Sequence, residues 1–184
     1  MRREGLRLTG GDTMARSRAR VFALGGLAFG LIGFTALADP TPRLVWNASA
    51  SAPIGLYLLV PSGTVKYGDL VLAWLPDEVR VLASERGYLR FEVPLIKRVA
   101  ALANDTICCE GRSVFVDQRP LAHRLDLDRM GRALPSWSGC NTLNSDQVLL
   151  LMEGVPDSFD GRYFGPSRTK HLLGRLVPLV TFDP

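Results

Sequence analysis

Apolar and polar positions along the chain fall into two regimes. From Val21 to Ala38 the sequence VFALGGLAFGLIGFTALA is 18 residues without a charge, followed by Asp39. As a helix it would span roughly 27 Å, enough for a bilayer core. Beyond it the pattern breaks into short apolar runs separated by turn residues. Leu56–Val60 and Leu70–Trp74 read as strands joined through the turn Pro61-Ser62-Gly63. Asp77 is placed to cap a short helix with Val79, Leu82 and Ala83 on one face, stopping near Arg86-Gly87. Residues 89–100 read as a strand interrupted by Pro94, Ser113–Asp117 and Val148–Met152 as strands, and Leu176–Phe182 as a closing strand. Residues 123–137 are polar and irregular, a loop or short helix. The pattern therefore predicts a mainly β body with one or two short helices, preceded by a single transmembrane helix or signal sequence.

Charge sharpens this division. Residues 1–20 hold six arginines against Glu4 and Asp12, an excess of four that equals the net charge of the whole chain, +4. The body is electrically balanced, so the basic character belongs to the tail and gives no support for nucleic-acid binding. Arginines before the apolar run and an acid after it place the tail in the cytoplasm and export the rest. Three segments follow: a basic cytoplasmic tail 1–20, a membrane segment 21–38, and an exported domain 39–184. Ala36-Leu37-Ala38 also has the small-x-small form of a processing site, so a cleavable signal sequence is the alternative. Three cysteines and two histidines leave little for a zinc or iron–sulfur centre, and neither a metal nor a cofactor is expected.

Candidate chemistry centres on Ser51 in the segment Asn47-Ala-Ser49-Ala-Ser51-Ala-Pro53-Ile-Gly55-Leu56-Tyr57. Small residues surround the hydroxyl, and Pro53 and Gly55 hold the backbone in a bend. On its own this segment reads first as a polar Ser/Ala linker leading into a strand. A nucleophile needs a base, and neither His123 nor His171 sits in a triad-like context. Lys97 is the other option. In Leu95-Ile96-Lys97-Arg98-Val99-Ala100, strand alternation puts Leu95, Lys97 and Val99 on one face, where aliphatic neighbours would depress the amine pKa. An edge lysine reaching solvent fits the same pattern.

Taken in order, Ser51-x-Pro53, Leu95-Ile96-Lys97-Arg98-Val99, Asn104-Asp105-Thr106-Ile107 and Asp157-Ser158-Phe159-Asp160-Gly161-Arg162-Tyr163-Phe164-Gly165-Pro166 resemble the type I signal (leader) peptidases, membrane-anchored Ser/Lys serine proteases. Gly55-Leu56-Tyr57 and Gly131-Arg132-x-Leu134-Pro135-x-Trp137-x-Gly139-Cys140 resemble the TraF-type conjugal-transfer branch of that family. The resemblance implies a signal-peptidase-like β fold with Ser51 as nucleophile and Lys97 as base. It implies Ser49 and the Ser51 N–H as oxyanion donors, with Asn47 as an alternative donor, and Ser158 as the residue that orients the lysine. Asp160 and Arg162 would brace the site from one face of an extended segment. It implies a Cys108–Cys140 disulfide, with Cys109–Cys140 as the alternative, in the oxidising periplasm. It further implies a pilin precursor as substrate, small residues before the cut, and cyclisation if the substrate's own N-terminal amine intercepts the acyl-enzyme. The inner membrane is the expected location. A general signal peptidase and a non-catalytic periplasmic pilus-assembly factor are the alternatives. Ala52, Asn104 and Gly161 depart from the housekeeping enzymes' usual Met, Gly and Ser, which favours a narrow substrate range.

Overall fold

The computed structural model describes residues 22–31, 33–34, 43–61 and 63–182. The chain divides into two compact units, residues 1–41 and 42–184. In the first, residues 22–31 and 33–34 are helical (α1). Among the described residues no helix is long and apolar enough to cross a membrane. The basic tail 1–20, the Ala36-Leu37-Ala38 site, the rest of the expected 21–38 span and Ser62 of the expected turn lie outside the described residues.

The second unit is built on antiparallel sheet. Seven strands pair in the order β1 (Leu44–Asn47), β2 (Ile54–Val60), β11 (Leu172–Phe182), β3 (Leu70–Ala73), β4 (Leu95–Ala101), β9 (Gln147–Leu151) and β10 (Ser167–Arg168). Four more pair in the order β7 (Arg119–His123), β6 (Ser113–Val116), β5 (Thr106–Glu110) and β8 (Gly139–Thr142). β2 and β4 alternate between buried and more exposed residues, as strands covered on one face do. β3, flanked by β11 and β4, is buried at all four positions. Leu149 and Leu151 of β9 pack with Ile107 and Val114 of the smaller sheet, so one strand supplies side chains to that sheet's core.

Among the described residues two α-helices, α2 (Asp77–Glu85) and α3 (Gly161–Phe164), and a 3-10 turn (Thr169–His171) complete the unit. The mainly β expectation with short helices holds, with local corrections. Asp77 is not the cap of α2. Pro76 occupies that position, and the Asp77 carboxylate accepts from Arg80 instead. Residues 89–94 are not strand. β4 begins at Leu95, immediately after Pro94, whose ring removes a ladder donor. The closing strand starts four residues earlier than expected and carries a bulge between Pro178 and Val180. His123 closes β7, and residues 124–137 form a loop holding one isolated bridge, Leu127 to Ala133. Gly55 lies where β11 crosses β2 closely. A Cβ there would stand 2.1 Å from the Val180 carbonyl oxygen, so only glycine fits.

Candidate active site

The turn after β1 presents Ser51, and Asn47 shapes that turn. The buried Asn47 amide donates to the carbonyls of Ser49 (2.9 Å), Ala52 (3.0 Å) and Pro53 (3.0 Å), while its Oδ1 accepts the Ser49 N–H at 2.9 Å. Tyr57 Oη donates to the Pro53 carbonyl at 2.6 Å from the next strand. A side-chain amide has two N–H groups, and both are already used on backbone here. Asn47 is therefore a scaffold for the Ser51 turn, which corrects its expected place as an alternative oxyanion donor.

Lys97 projects from β4, held between β3 and β9. It is 5% exposed. Its Nζ donates to Ser158 Oγ at 2.8 Å and to Ser51 Oγ at 3.3 Å. Burial pushes the amine pKa down to about 8 from 10.5; the Asp160 carboxylate pulls it back up, Arg162 pushes it down, and Asp157 pulls it up. Ser49 Oγ lies 3.0 Å from Ser51 Oγ and accepts the Ser51 N–H at 3.3 Å. The two groups expected to serve an oxyanion thus face each other, and rotation of the Ser49 side chain releases both.

Behind Ser158 lies a buried ion pair. Asp160 and Arg162 are 0% and 1% exposed. Arg162 Nε and Nη2 meet the two carboxylate oxygens at 2.8 and 3.0 Å, and the remaining N–H groups reach the carbonyls of Met152, Pro156 and His123. All five guanidinium donors are satisfied, the condition under which a charge tolerates burial. Asp160 also accepts the N–H groups of Met152 (3.0 Å) and Arg162 (3.2 Å), the second as N-cap of α3. The pair therefore ties the 152–160 loop, which carries Ser158, to the start of α3. The expected extended segment is instead a cap and a helical turn, and the ion pair is buried. Trp137 Nε1 donates to the Gly161 carbonyl at 3.0 Å. A Cβ on Gly161 would meet Leu149 Cδ1 at 2.7 Å and the Leu150 carbonyl oxygen at 2.8 Å, so the serine usual in housekeeping enzymes does not fit this backbone.

Ser49, Ser51, Lys97 and Ser158 open into one cleft of about 950 Å³ whose apolar wall includes Leu72, Leu75, Leu95 and Ile96. His123 and His171 do not line it; His123 Nδ1 pairs with Ser113 Oγ. The loop segment Leu125–Leu134 contributes a further wall, to which the sequence pattern assigns no role. Tyr88 Oη and Arg132 Nε both donate to Asp128 there, contacts 40 and 4 residues apart in sequence. The signals for it in the sequence are its charged residues and the Gly131-Arg132-x-Leu134 part of the branch-like motif. Cys108 and Cys140 oppose each other across β5 and β8 and are joined, while Cys109 is buried and reduced, which sets aside the alternative pairing. Among the described residues no cluster of His, Cys, Asp and Glu is placed to hold a metal ion.

Comparison with known proteins adds to this geometry. The chain is 32% identical over 187 residues to the plasmid transfer protein TraF of Escherichia coli, covering 96% of this chain and 97% of that protein. It is 34% identical over 148 residues to the conjugal transfer protein TraF of Agrobacterium fabrum, covering 75% and 82%. The crystal structure of a signal peptidase I from Enterococcus faecalis aligns with 62% of this chain and 97% of its own, at 15% identity and a TM-score of 0.37. The family model of signal peptidases, peptidase S26, matches residues 16–180, and the chain belongs to that family.

Proposed function

We propose that this chain is a membrane-associated serine endopeptidase with a Ser51/Lys97 dyad that matures a pilin precursor for conjugative transfer. In this reading residues 1–20 are a cytoplasmic tail, 21–38 a membrane segment, and 39–184 a periplasmic peptidase domain. The observation that carries it is a lysine amine, 5% exposed and lowered to about 8, within 3.3 Å of an accessible serine hydroxyl. The neutral amine accepts the Ser51 hydroxyl proton as Oγ attacks the scissile carbonyl. Charge on the carbonyl oxygen is met by the Ser51 N–H and the Ser49 hydroxyl once Ser49 rotates. Collapse of the tetrahedral intermediate expels the leaving amine, which takes the proton from Lys97. Water or a substrate amine then attacks the acyl-enzyme, the second giving a cyclic product.

The test is intact-mass spectrometry of the candidate pilin co-expressed with the wild-type chain, Ser51→Ala or Lys97→Ala. Each variant is expected to lose processing by at least about 10³-fold, and cyclisation appears as a product lighter by one water than its hydrolysed form. Full processing by both folded variants would point to the assembly-factor alternative. Cleavage of unrelated secretory precursors would point to a general signal peptidase.

A further inference from the structure

The cleft carries charge that the proposed chemistry does not use. Residues 128–132 form a tight turn along it, held by the Asp128 carboxylate, which accepts from Tyr88 Oη, Arg132 Nε at 2.6 Å, and the N–H groups of Met130 (2.8 Å) and Arg132 (2.9 Å). Three arginines line the cleft, and two of them hold backbone: Arg86 Nη1 donates to the Ala133 carbonyl at 2.6 Å and Arg132 Nη2 to the Arg86 carbonyl at 3.1 Å. Arg129 differs. Its side chain is 87% exposed, and among the described residues its one polar partner is Asp157, itself 51% exposed. One of five guanidinium N–H groups is used, and an ion pair this exposed exchanges readily with another charge. Asp157 directly precedes Ser158, whose hydroxyl is 2.8 Å from the Lys97 amine. The fixed turn thus presents a forked donor beside the reacting groups, with its one partner replaceable.

We propose that Arg129 is a specificity residue that reads a carboxylate on the peptide substrate. The inference rests on the peptidase reading above. A guanidinium fork matches a carboxylate in bidentate geometry. Its closeness to Ser158 puts the recognised group within about two to four extended residues of the scissile bond. An acidic side chain and the substrate's C-terminal carboxylate offer the same chemistry.

The test uses the full chain in detergent and internally quenched peptides with alanine at the small positions before the cut. Each flanking site carries Glu, Gln or Lys in turn, with free and amidated C-termini. The wild type is expected to prefer Glu over Gln, or free acid over amide, by about fivefold or more in kcat/KM, mostly through KM. The arm showing the preference identifies the carboxylate's source. Arg129→Gln should bring that ratio close to one, Arg129→Lys should retain part of it, and Arg129→Glu should turn the preference toward Lys. An unchanged ratio in Arg129→Gln, or no acid preference in either arm, overturns the proposal. The same ratios are read as binding to the Ser51→Ala chain by fluorescence anisotropy. A carboxylate preference in binding without cleavage by the wild type would therefore sink the peptidase reading and keep this one.

Discussion

The behaviour of Lys97 follows from two opposing effects on one nitrogen. Loss of water around the amine lowers its pKa, while Asp160 and Asp157 partly restore it, and the balance rests at about 8. In the proposed mechanism only the unprotonated amine takes the Ser51 proton, so kcat/KM should rise with pH along a limb centred near 8. Removing the Asp157 charge removes an attraction that raises this pKa. Asp157→Asn should therefore move the limb to lower pH, and a limb that stays put or moves upward would contradict the assignment. Stability has its own sign. The folded pKa lies below the unfolded one, so the unfolded chain holds more protons between about pH 8 and 10.5, and this group's contribution to stability improves as pH rises through that window.

At the scale of elements, the legible strands are those with strong apolar patterns: β2, β3, β6 and β9, the Leu95–Ala100 part of β4 and the Leu176–Phe182 part of β11. β8 was hidden for a physical reason. Its sequence GCNT is exposed at all four positions, so nothing in its pattern marks a strand, and pairing with β5 holds it. α3 does not show in the sequence because its helical turn depends on the Asp160 cap and on Trp137, 24 residues away from its Gly161 partner. The serines and the lysine were legible because their order resembles a family. The Leu125–Leu134 wall was not, since Tyr88 and Asp128 meet only after folding. Two outcomes follow at this scale. Asp160→Asn would leave Arg162 buried with its charge uncompensated, and denaturant unfolding should show a loss of about 3 kcal/mol or more. Gly55→Ala would drive a methyl group into the Val180 carbonyl, and hydrogen exchange in the Val180–Phe182 end of β11 should quicken relative to β3 and β4.

For the whole molecule, the bridge between Cys108 and Cys140 closes a loop of sequence separation 32 that contains the entire Leu125–Leu134 wall. Restricting a loop of this length in the unfolded chain contributes about 3–4 kcal/mol. Cys108→Ser paired with Cys140→Ser should therefore lower Tm by several degrees, and reductant should do the same to the wild type but not to the variant. Lys97 reaches its dry, pKa-lowering setting only when β4 is zipped between β3 and β9, strands separated from it by long stretches of sequence. Before that closure its side chain is an ordinary hydrated cation with no appetite for a proton. Under the proposed mechanism, a newly made copy therefore acquires its base only once its own sheet is complete. Pulse labelling with an amine-acylating reagent during refolding should find this lysine becoming shielded at the same rate as the sheet completes, not ahead of it.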